Sequence, residues 1–106
     1  MIITTTDGIA GYVIEEVFGE VFGVTVRSRN IGSQIGSGVK SIFGGELKGM
    51  TQMLIDSRHQ AEERMVAAAA ARGANAILAM RFVSSELGST WTEVCAYGTA
   101  ARVRKT

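Results

Sequence analysis

A chain of 106 residues has room for one compact domain. Eleven basic and ten acidic residues give a formal net charge of +1, which argues against a dedicated nucleic-acid binder and against a polybasic membrane anchor. No stretch approaches the roughly 20 continuous apolar residues of a membrane-spanning helix, and no signal peptide is expected from the N-terminal pattern. The single cysteine, Cys95, excludes an intrachain disulfide and favours a reducing, cytoplasmic compartment.

Residues 12–29 are rich in β-branched and aromatic side chains, and they predict a long strand. Gly19 and Gly23 are the expected places where this strand bends, bulges or breaks. Apolar residues occur at both odd and even positions, so we expect both faces of the strand to be covered, one of them by a helix.

Residues 30–45 form a segment rich in glycine and serine. Its apolar residues recur at helical spacing and predict a short helix that ends at Gly44 and Gly45: Ile31, Ile35, Val39 and Ile42. A phosphate-binding loop requires a glycine directly before the lysine, but Val39 separates Gly38 from Lys40. Turn formation and packing are therefore favoured over a nucleotide site.

Residues 46–72 contain the clearest periodic pattern, and a helix is predicted from about 47 to 72. Helix-forming residues dominate, Arg72 suits the last turn, and Gly73 is placed to end the helix. Apolar residues lie on one face at the 3.6-residue period: Leu47, Met50, Leu54, Ala61, Met65, Ala68 and Ala69.

Two further strands are predicted, at residues 75–83 and at about 91–103, with a turn at 86–89 and an interruption at Gly98. The resulting class is α+β, with one long helix packed on a small three-stranded antiparallel sheet and an additional glycine-rich segment. A single helix leaves the other face of such a sheet uncovered. We therefore expect the chain to associate with copies of itself, as a symmetric ring or dimer.

Metal binding is a hypothesis for one stripe of the helix. Asp56, His59 and Glu63 follow i, i+3, i+7 spacing, opposite the predicted apolar face, and carboxylate and imidazole together suit a divalent ion. An ordinary solvated helix face explains the same pattern. A thiolate site would require one Cys95 from each of several subunits, because a single chain lacks clustered cysteines.

Other candidate sites have simple structural alternatives. The methionines can fill core gaps or supply thioether ligands. Two arginine pairs, Arg27 with Arg29 and Arg102 with Arg104, point the same way along their strands and either frame an anion site or carry exposed charges. Glu15 and Glu16 are adjacent in a strand, so we expect them on opposite faces. No nucleophile or acid–base arrangement is visible, and we expect a protein that is not an enzyme.

Four segments, in this order and at these separations, resemble the YbjQ family: Gly19–Gly23, Ser41–Gly45, Ala71–Ile77 and Tyr97–Ala100. The resemblance extends from about residue 3 to residue 104. It implies a dodecin-like subunit, with a helix against a small antiparallel sheet, assembled as a homopentamer. The family is described as heavy-metal-binding, but no ligand motif of the family carries over to residues of this chain. Two hypotheses therefore stand for the expected ring: a structural or small-ligand-binding protein, or a divalent or heavy-metal-binding protein with sites at subunit boundaries.

Overall fold

The computed structural model describes residues 1–28 and 48–106. Its elements in chain order are β1 (Ile2–Ile3), β2 (Tyr12–Ser28), α1 (Lys48–Ala71), β3 (Ala76–Leu87) and β4 (Trp91–Lys105). The helix predicted within residues 30–45 lies outside the described residues, as do Arg29 and Leu47. The α+β class, with one long helix packed on one sheet, is confirmed.

The sheet has four strands in the order β1-β3-β4-β2. β4 pairs antiparallel with both β2 and β3, whereas β1 pairs parallel with β3 through Ile2 opposite Ala76. The expectation of three antiparallel strands is therefore wrong in one respect: the sheet is mixed. A two-residue strand is too short to produce an alternating pattern, so only its pairing with β3 reveals it.

Two β-bulges shape the first half of β2. The register with β4 shifts between Ile14 and Glu16 and again between Val17 and Gly19, where Gly19 has a φ of 105°. The predicted irregularity at Gly19 is confirmed. The predicted bend at Gly23 is wrong, because the register runs unbroken through that residue.

Gly23 instead marks the closest approach between α1 and the sheet. A Cβ atom at this position would lie 2.1 Å from the Ala61 carbonyl oxygen and 2.4 Å from the Met65 nitrogen. The helix backbone therefore rests directly on β2. Gly98, where an interruption of β4 was expected, is also close-packed, since its Cβ would meet Ile77 Cγ2 at 2.7 Å. The register of β4 with β2 is continuous through Gly98, whereas its register with β3 shifts there.

The buried side of α1 follows every fourth residue: Met53, Ser57, Ala61, Met65 and Ala69. Four residues advance the helix by about 40° beyond a full turn, so the buried line winds around the helix as it crosses the twisted sheet. This displaces Leu54, which was predicted to lie on the apolar face, to the flank of the helix with 41% of its surface exposed. That part of the prediction is wrong, whereas Ala61 and Met65 are confirmed as core residues.

The C-terminal end of α1 is capped as predicted. Gly73 has a φ of 87°, its N–H donates to the Ala70 carbonyl, and the Ala74 N–H donates to the Ala69 carbonyl. This hydrogen-bond pair satisfies two carbonyl groups that the helix end leaves free. The chain is thereby turned directly into β3.

The β3–β4 hairpin is longer than predicted. β3 continues to Leu87, and Leu87 pairs with Trp91 across the turn. Near its start, β3 has a register shift between Leu78 and Arg81, where Ala79 has a φ of 53°. The shift inserts one residue, so that Met80 joins the core beneath α1.

The N-terminal segment covers one end of the sheet on the side away from α1. There Ile2, Ile9 and Tyr12 pack against a second buried cluster: Ala76, Leu78, Ala101 and Val103. The Asn75 side chain fixes the adjacent edge by donating to the Val103 carbonyl and accepting from the Val103 N–H, each at 2.8 Å. No other segment within residues 1–28 and 48–106 packs over the remainder of that sheet face.

Candidate functional site

The uncovered part of the sheet defines the main candidate site. Because side chains alternate along a strand, β4 directs Val94 and Ala96 toward α1 and Cys95 and Tyr97 to the opposite side. The strand register extends this second side across β2 and β3. We call it the outer sheet face; its apolar residues are Phe22, Val24, Val26, Val83, Leu87, Trp91, Cys95 and Tyr97.

This face carries a large exposed apolar patch. Six of its side chains are between 38% and 56% exposed: Phe22, Val26, Val83, Leu87, Trp91 and Tyr97. With about 200 Å² for a whole aromatic side chain, these six expose on the order of 500 Å². A patch of about 300–600 Å² is the largest that typical monomers show, and it often marks an interaction site.

The shape of the chain supports the same interpretation. The extents along the principal axes are 54 × 26 × 16 Å, and the Cα radius of gyration is 17.2 Å. A compact domain of this length has a radius of gyration of about 13 Å. The described part of the protein is therefore a thin two-layer slab, whose thinnest dimension corresponds to one helix layer on one sheet layer.

Cys95, one of the predicted metal ligands, lies on the outer sheet face between Val24 and Val83 of the neighbouring strands. Partial burial raises the pKa of its thiol, and the carboxylates of Glu93 and Glu20 raise it further. A raised pKa keeps the thiol protonated at neutral pH and lowers its nucleophilicity. These two carboxylates outnumber Arg81, the guanidinium opposite Tyr97 on the same face, so this part of the face carries a net negative charge.

The three predicted ligands on the helix, Asp56, His59 and Glu63, are all exposed on α1. His59 and Glu63 line a shallow depression of about 280 Å³ together with Glu62 and Val66. Asp56 is not part of this lining and accepts a hydrogen bond from Gln52 at 2.9 Å. The structure thus brings His59 and Glu63 together and adds Glu62, which the sequence pattern did not indicate.

Within the described ranges 1–28 and 48–106, no group of three His, Cys, Asp or Glu side chains is placed to hold a metal ion. Cys95 and the helix stripe lie on opposite sides of the sheet, so one chain cannot combine them. The four proposed ligands stay a prediction that only an assembly of chains can test.

The carboxylates of Glu15 and Glu16 correct another expectation. The bulge at Glu15 turns both residues to the face of the sheet that carries Arg102 and Arg104. Glu16 forms an ion pair with Arg102, and Glu15 forms one with Arg104 at 3.1 Å. These two arginines are therefore engaged in cross-strand pairs and do not frame an open anion site.

Arg27, the other arginine described among the predicted pairs, is also engaged. It donates to the Gln60 side-chain oxygen at 3.0 Å, and the buried Thr25 hydroxyl donates to the same oxygen at 2.7 Å. This small polar cluster joins β2 to α1. Sequence periodicity could not reveal it, because Gln60 is an unremarkable polar residue on the flank of a helix.

A further pair of arginines, missed by the sequence analysis, closes the free edge of β2. Asn75 binds the main chain of Val103 from the β3 side. In an antiparallel sheet the main-chain groups of successive residues point to alternate neighbours. Odd-numbered residues of β4 therefore direct their N–H and C=O groups toward β3, and even-numbered residues direct theirs toward β2. Glu20 and Val24 of β2 lie opposite the odd-numbered residues Thr99 and Cys95. The main-chain groups of Glu20 and Val24 therefore point away from β4. Among the described strands β2 is the outermost, and those main-chain groups form its edge.

Arg64 and Arg72 reach from α1 to this edge. Arg64 donates to the Val24 carbonyl at 2.6 Å, and Arg72 donates to the carbonyls of Phe18 and Glu20 at 2.9 and 3.3 Å. Charged side chains at an edge strand hinder the addition of another strand. The arrangement leaves the outer sheet face, rather than the β2 edge, as the accessible surface for association.

Comparisons with known proteins place this chain. It belongs to the YbjQ family: the family model described as "Putative heavy-metal-binding" matches residues 1–104. It is 68% identical to a UPF0145 protein of Acidothermus cellulolyticus over 99% of this chain and 97% of that protein. It is 55% identical to one of Streptomyces coelicolor, with 99% of both chains covered, and 50% identical to one of Lactococcus lactis subsp. cremoris, with 99% and 96% covered.

A solved structure shares the fold. A crystal structure from Pediococcus pentosaceus, of a protein with unknown function from the DUF74 family, aligns with a TM-score of 0.59 over 98% of both chains at 18% sequence identity. At this identity the likeness concerns the fold alone. No described helix of the present chain is long and apolar enough to cross a membrane.

Proposed function

We propose that this protein is the subunit of a closed homo-oligomer, with five chains as the ring size that the family resemblance implies. Its role is structural or small-ligand-binding, without catalysis, in a reducing cytoplasmic compartment. The observation that carries the proposal is the outer sheet face, which exposes on the order of 500 Å² of apolar side chains in a single chain. Burying such a surface is the main source of free energy in subunit association.

Clefts between subunits are the places where a small ligand would bind in this assembly. Ligand sites commonly form where subunits or domains meet, because the meeting surfaces create concave, partly apolar pockets. The Cys95 thiol and the Tyr97 ring would lie near such a boundary, since both belong to the outer sheet face.

Light scattering coupled to size-exclusion chromatography tests this proposal at micromolar chain concentration. We expect a single species with a mass several times that of the 11.3 kDa chain. Native mass spectrometry gives the number of subunits. A monomer at every concentration would contradict the proposal, and another closed ring size would correct only the number five.

The second candidate is divalent or heavy-metal binding at subunit boundaries. The observation in its favour is the shared depression on α1, in which His59, Glu62 and Glu63 lie together. Imidazole and carboxylate ligands suit a borderline ion such as Zn²⁺, but a complete site needs a further ligand from another chain. Asp56 and Cys95 of neighbouring subunits are the candidates for that ligand.

Metal analysis of the assembled protein distinguishes this candidate from the first. We would titrate the oligomer with Zn²⁺ and compare the wild type with His59→Ala and Cys95→Ser variants. Loss of stoichiometric binding in His59→Ala supports the helix site, and loss in Cys95→Ser supports the thiol. Absence of stoichiometric metal in the intact oligomer would refute the metal hypothesis and leave the assembly hypothesis standing.

A further inference from the structure

A second exposed apolar surface lies on the opposite side of the slab. Where the first half of α1 crosses the β3–β4 hairpin, a groove of about 260 Å³ is lined by Thr51, Leu54, Ile55, Arg58, Ser84 and Val94. We call it the helix groove. Leu54 and Ile55 are 41% and 43% exposed on its helical side.

From these two surfaces we infer that the outer sheet face of one chain docks on the helix groove of the next, so that the contact runs head to tail around the ring. This inference rests on the proposed homo-oligomer and deepens it by naming the two surfaces that meet. Each chain carries both surfaces, so the same contact can repeat from one chain to the next, and it forms a closed ring when the rotation between successive chains closes.

Charge favours this contact over a symmetric one. Glu93 lies two residues from Cys95 on the outer sheet face, and Glu20 lies on the same face opposite Thr99. Arg81, also on this face, donates to the main-chain carbonyls of Thr5 and Met80. A dimer with two outer sheet faces in contact would bring the carboxylates of both chains together, and like charges across an interface oppose association.

The helix groove offers the complementary charge. Arg58 lies at its edge and stacks over the Phe82 ring, with the guanidinium carbon 5.1 Å from the ring centroid. The side chain is thus held in place beside the apolar pair Leu54 and Ile55. The outer sheet face is apolar and carries carboxylates, and the helix groove is apolar and carries a guanidinium held in place. The two surfaces are therefore complementary in hydrophobicity and in charge.

The exposed areas also favour a head-to-tail contact. An interface of standard size buries about 800 Å² on each partner, a little over half of it apolar, so the roughly 500 Å² of apolar side chain on the outer sheet face suffices for one such interface. A symmetric sheet-to-sheet dimer would leave the helix grooves of both chains exposed. In a head-to-tail ring every chain buries both surfaces, which gives two interfaces per subunit.

Mixing two complementary variants tests the inference. Phe22→Lys places a charge on the outer sheet face, and Ile55→Lys places one beside the helix groove. Both native side chains are largely exposed, so the fold of the single chain tolerates the changes. Each variant alone should lose the oligomer, but a mixture should form dimers and stop there, because only one intact pair of surfaces remains.

Chemical cross-linking gives an independent readout from the native Cys95. In an Ile55→Cys variant, a short bismaleimide should join Cys95 of one chain to the new thiol of the next and produce a ladder up to the ring size. Two controls should produce no ladder: the wild type, and Ile55→Cys combined with Cys95→Ser. An Ala70→Cys variant controls for position, since that residue is exposed on α1 outside the helix groove.

The possible outcomes separate this inference from the proposed function. An Ile55→Lys variant that keeps its oligomer, or cross-linked dimers of the wild type through Cys95, would refute the head-to-tail contact and leave the homo-oligomer intact. A monomeric wild type would refute both. Dimers in the mixture together with a ladder in the Ile55→Cys variant would establish the contact.

Discussion

Replacing Gly23 with alanine perturbs the closest contact in the fold. The new Cβ would lie 2.1 Å from the Ala61 carbonyl oxygen, whereas ordinary contacts begin at 3.4 Å, so helix and strand must separate by about 1.3 Å. A gap of about 1 Å removes a quarter to a half of the dispersion attraction between the surfaces that it separates. Met65 and Ala69, which are fully buried on this side of α1, would lose part of their packing.

Overpacking a core generally costs about 1–3 kcal/mol. Here the obstructing atoms belong to the helix backbone and no side-chain rotation can relieve the contact, so we expect a loss of at least about 3 kcal/mol in the free energy of unfolding. Urea denaturation followed by circular dichroism measures it, at one fixed protein concentration because association also contributes to stability.

Gly8→Ala is the matched control for this substitution. No atom lies within 4 Å of a Cβ at Gly8, and we expect a change below about 0.5 kcal/mol there. Failure of Gly23→Ala to fold, beside a folded Gly8→Ala, agrees with the reasoning. Equal stability of the two variants would refute the direct contact between α1 and β2.

Three further predictions concern other parts of the chain. Asn75→Ala removes two hydrogen bonds to the Val103 main chain and should lower the free energy of unfolding by about 2 kcal/mol; a change below about 0.5 kcal/mol in urea denaturation would contradict that role. Arg72→Ala uncovers the edge of β2 and should increase thioflavin T-positive aggregation on prolonged incubation, and an unchanged rate would show that the edge is closed by other means. Because the pKa of Cys95 is raised, less thiolate exists at a given pH, so the alkylation rate should reach its midpoint at a higher pH than in a model thiol peptide. Glu93→Gln removes one cause of that shift and should move the midpoint down; an upward movement would contradict the assigned electrostatics.

The family and its structure give different amounts of information about this chain. The family model and the relatives establish membership over the whole length, and the solved structure establishes a shared fold. The ligand and the assembly are proposals that the outer sheet face and the depression on α1 support. The Zn²⁺ titration concerns the depression on α1, whereas the Phe22→Lys and Ile55→Lys variants concern the surfaces of association.

Most of the fold follows from local sequence signals. The helix was predicted because its composition and period agree over more than six turns, and its end at Gly73 was predicted because an αL residue after an alanine run has few alternatives. The two long strands of the hairpin were predicted from their β-branched and aromatic content. These signals act between residues that are close in sequence.

The candidate site was predicted only in outline. An uncovered sheet face follows from counting one helix against one sheet, but its residues depend on the strand register, which bulges at Glu15, Phe18 and Ala79 shift by single positions. Each bulge moves the following side chains to the other face. The same effect brought Glu15 and Glu16 to one side, contrary to the simple alternation of a regular strand.

The sequence by itself determined the class of the fold, and the helix and its end. The tertiary structure decided which residues form that face, why Leu54 lies beside a groove, and which glycine lets the helix touch the sheet. The reason is physical: periodicity records the average direction of a side chain along one element. Burial at a given residue depends on how two elements cross, and Gly23 and the bulges of β2 set that crossing.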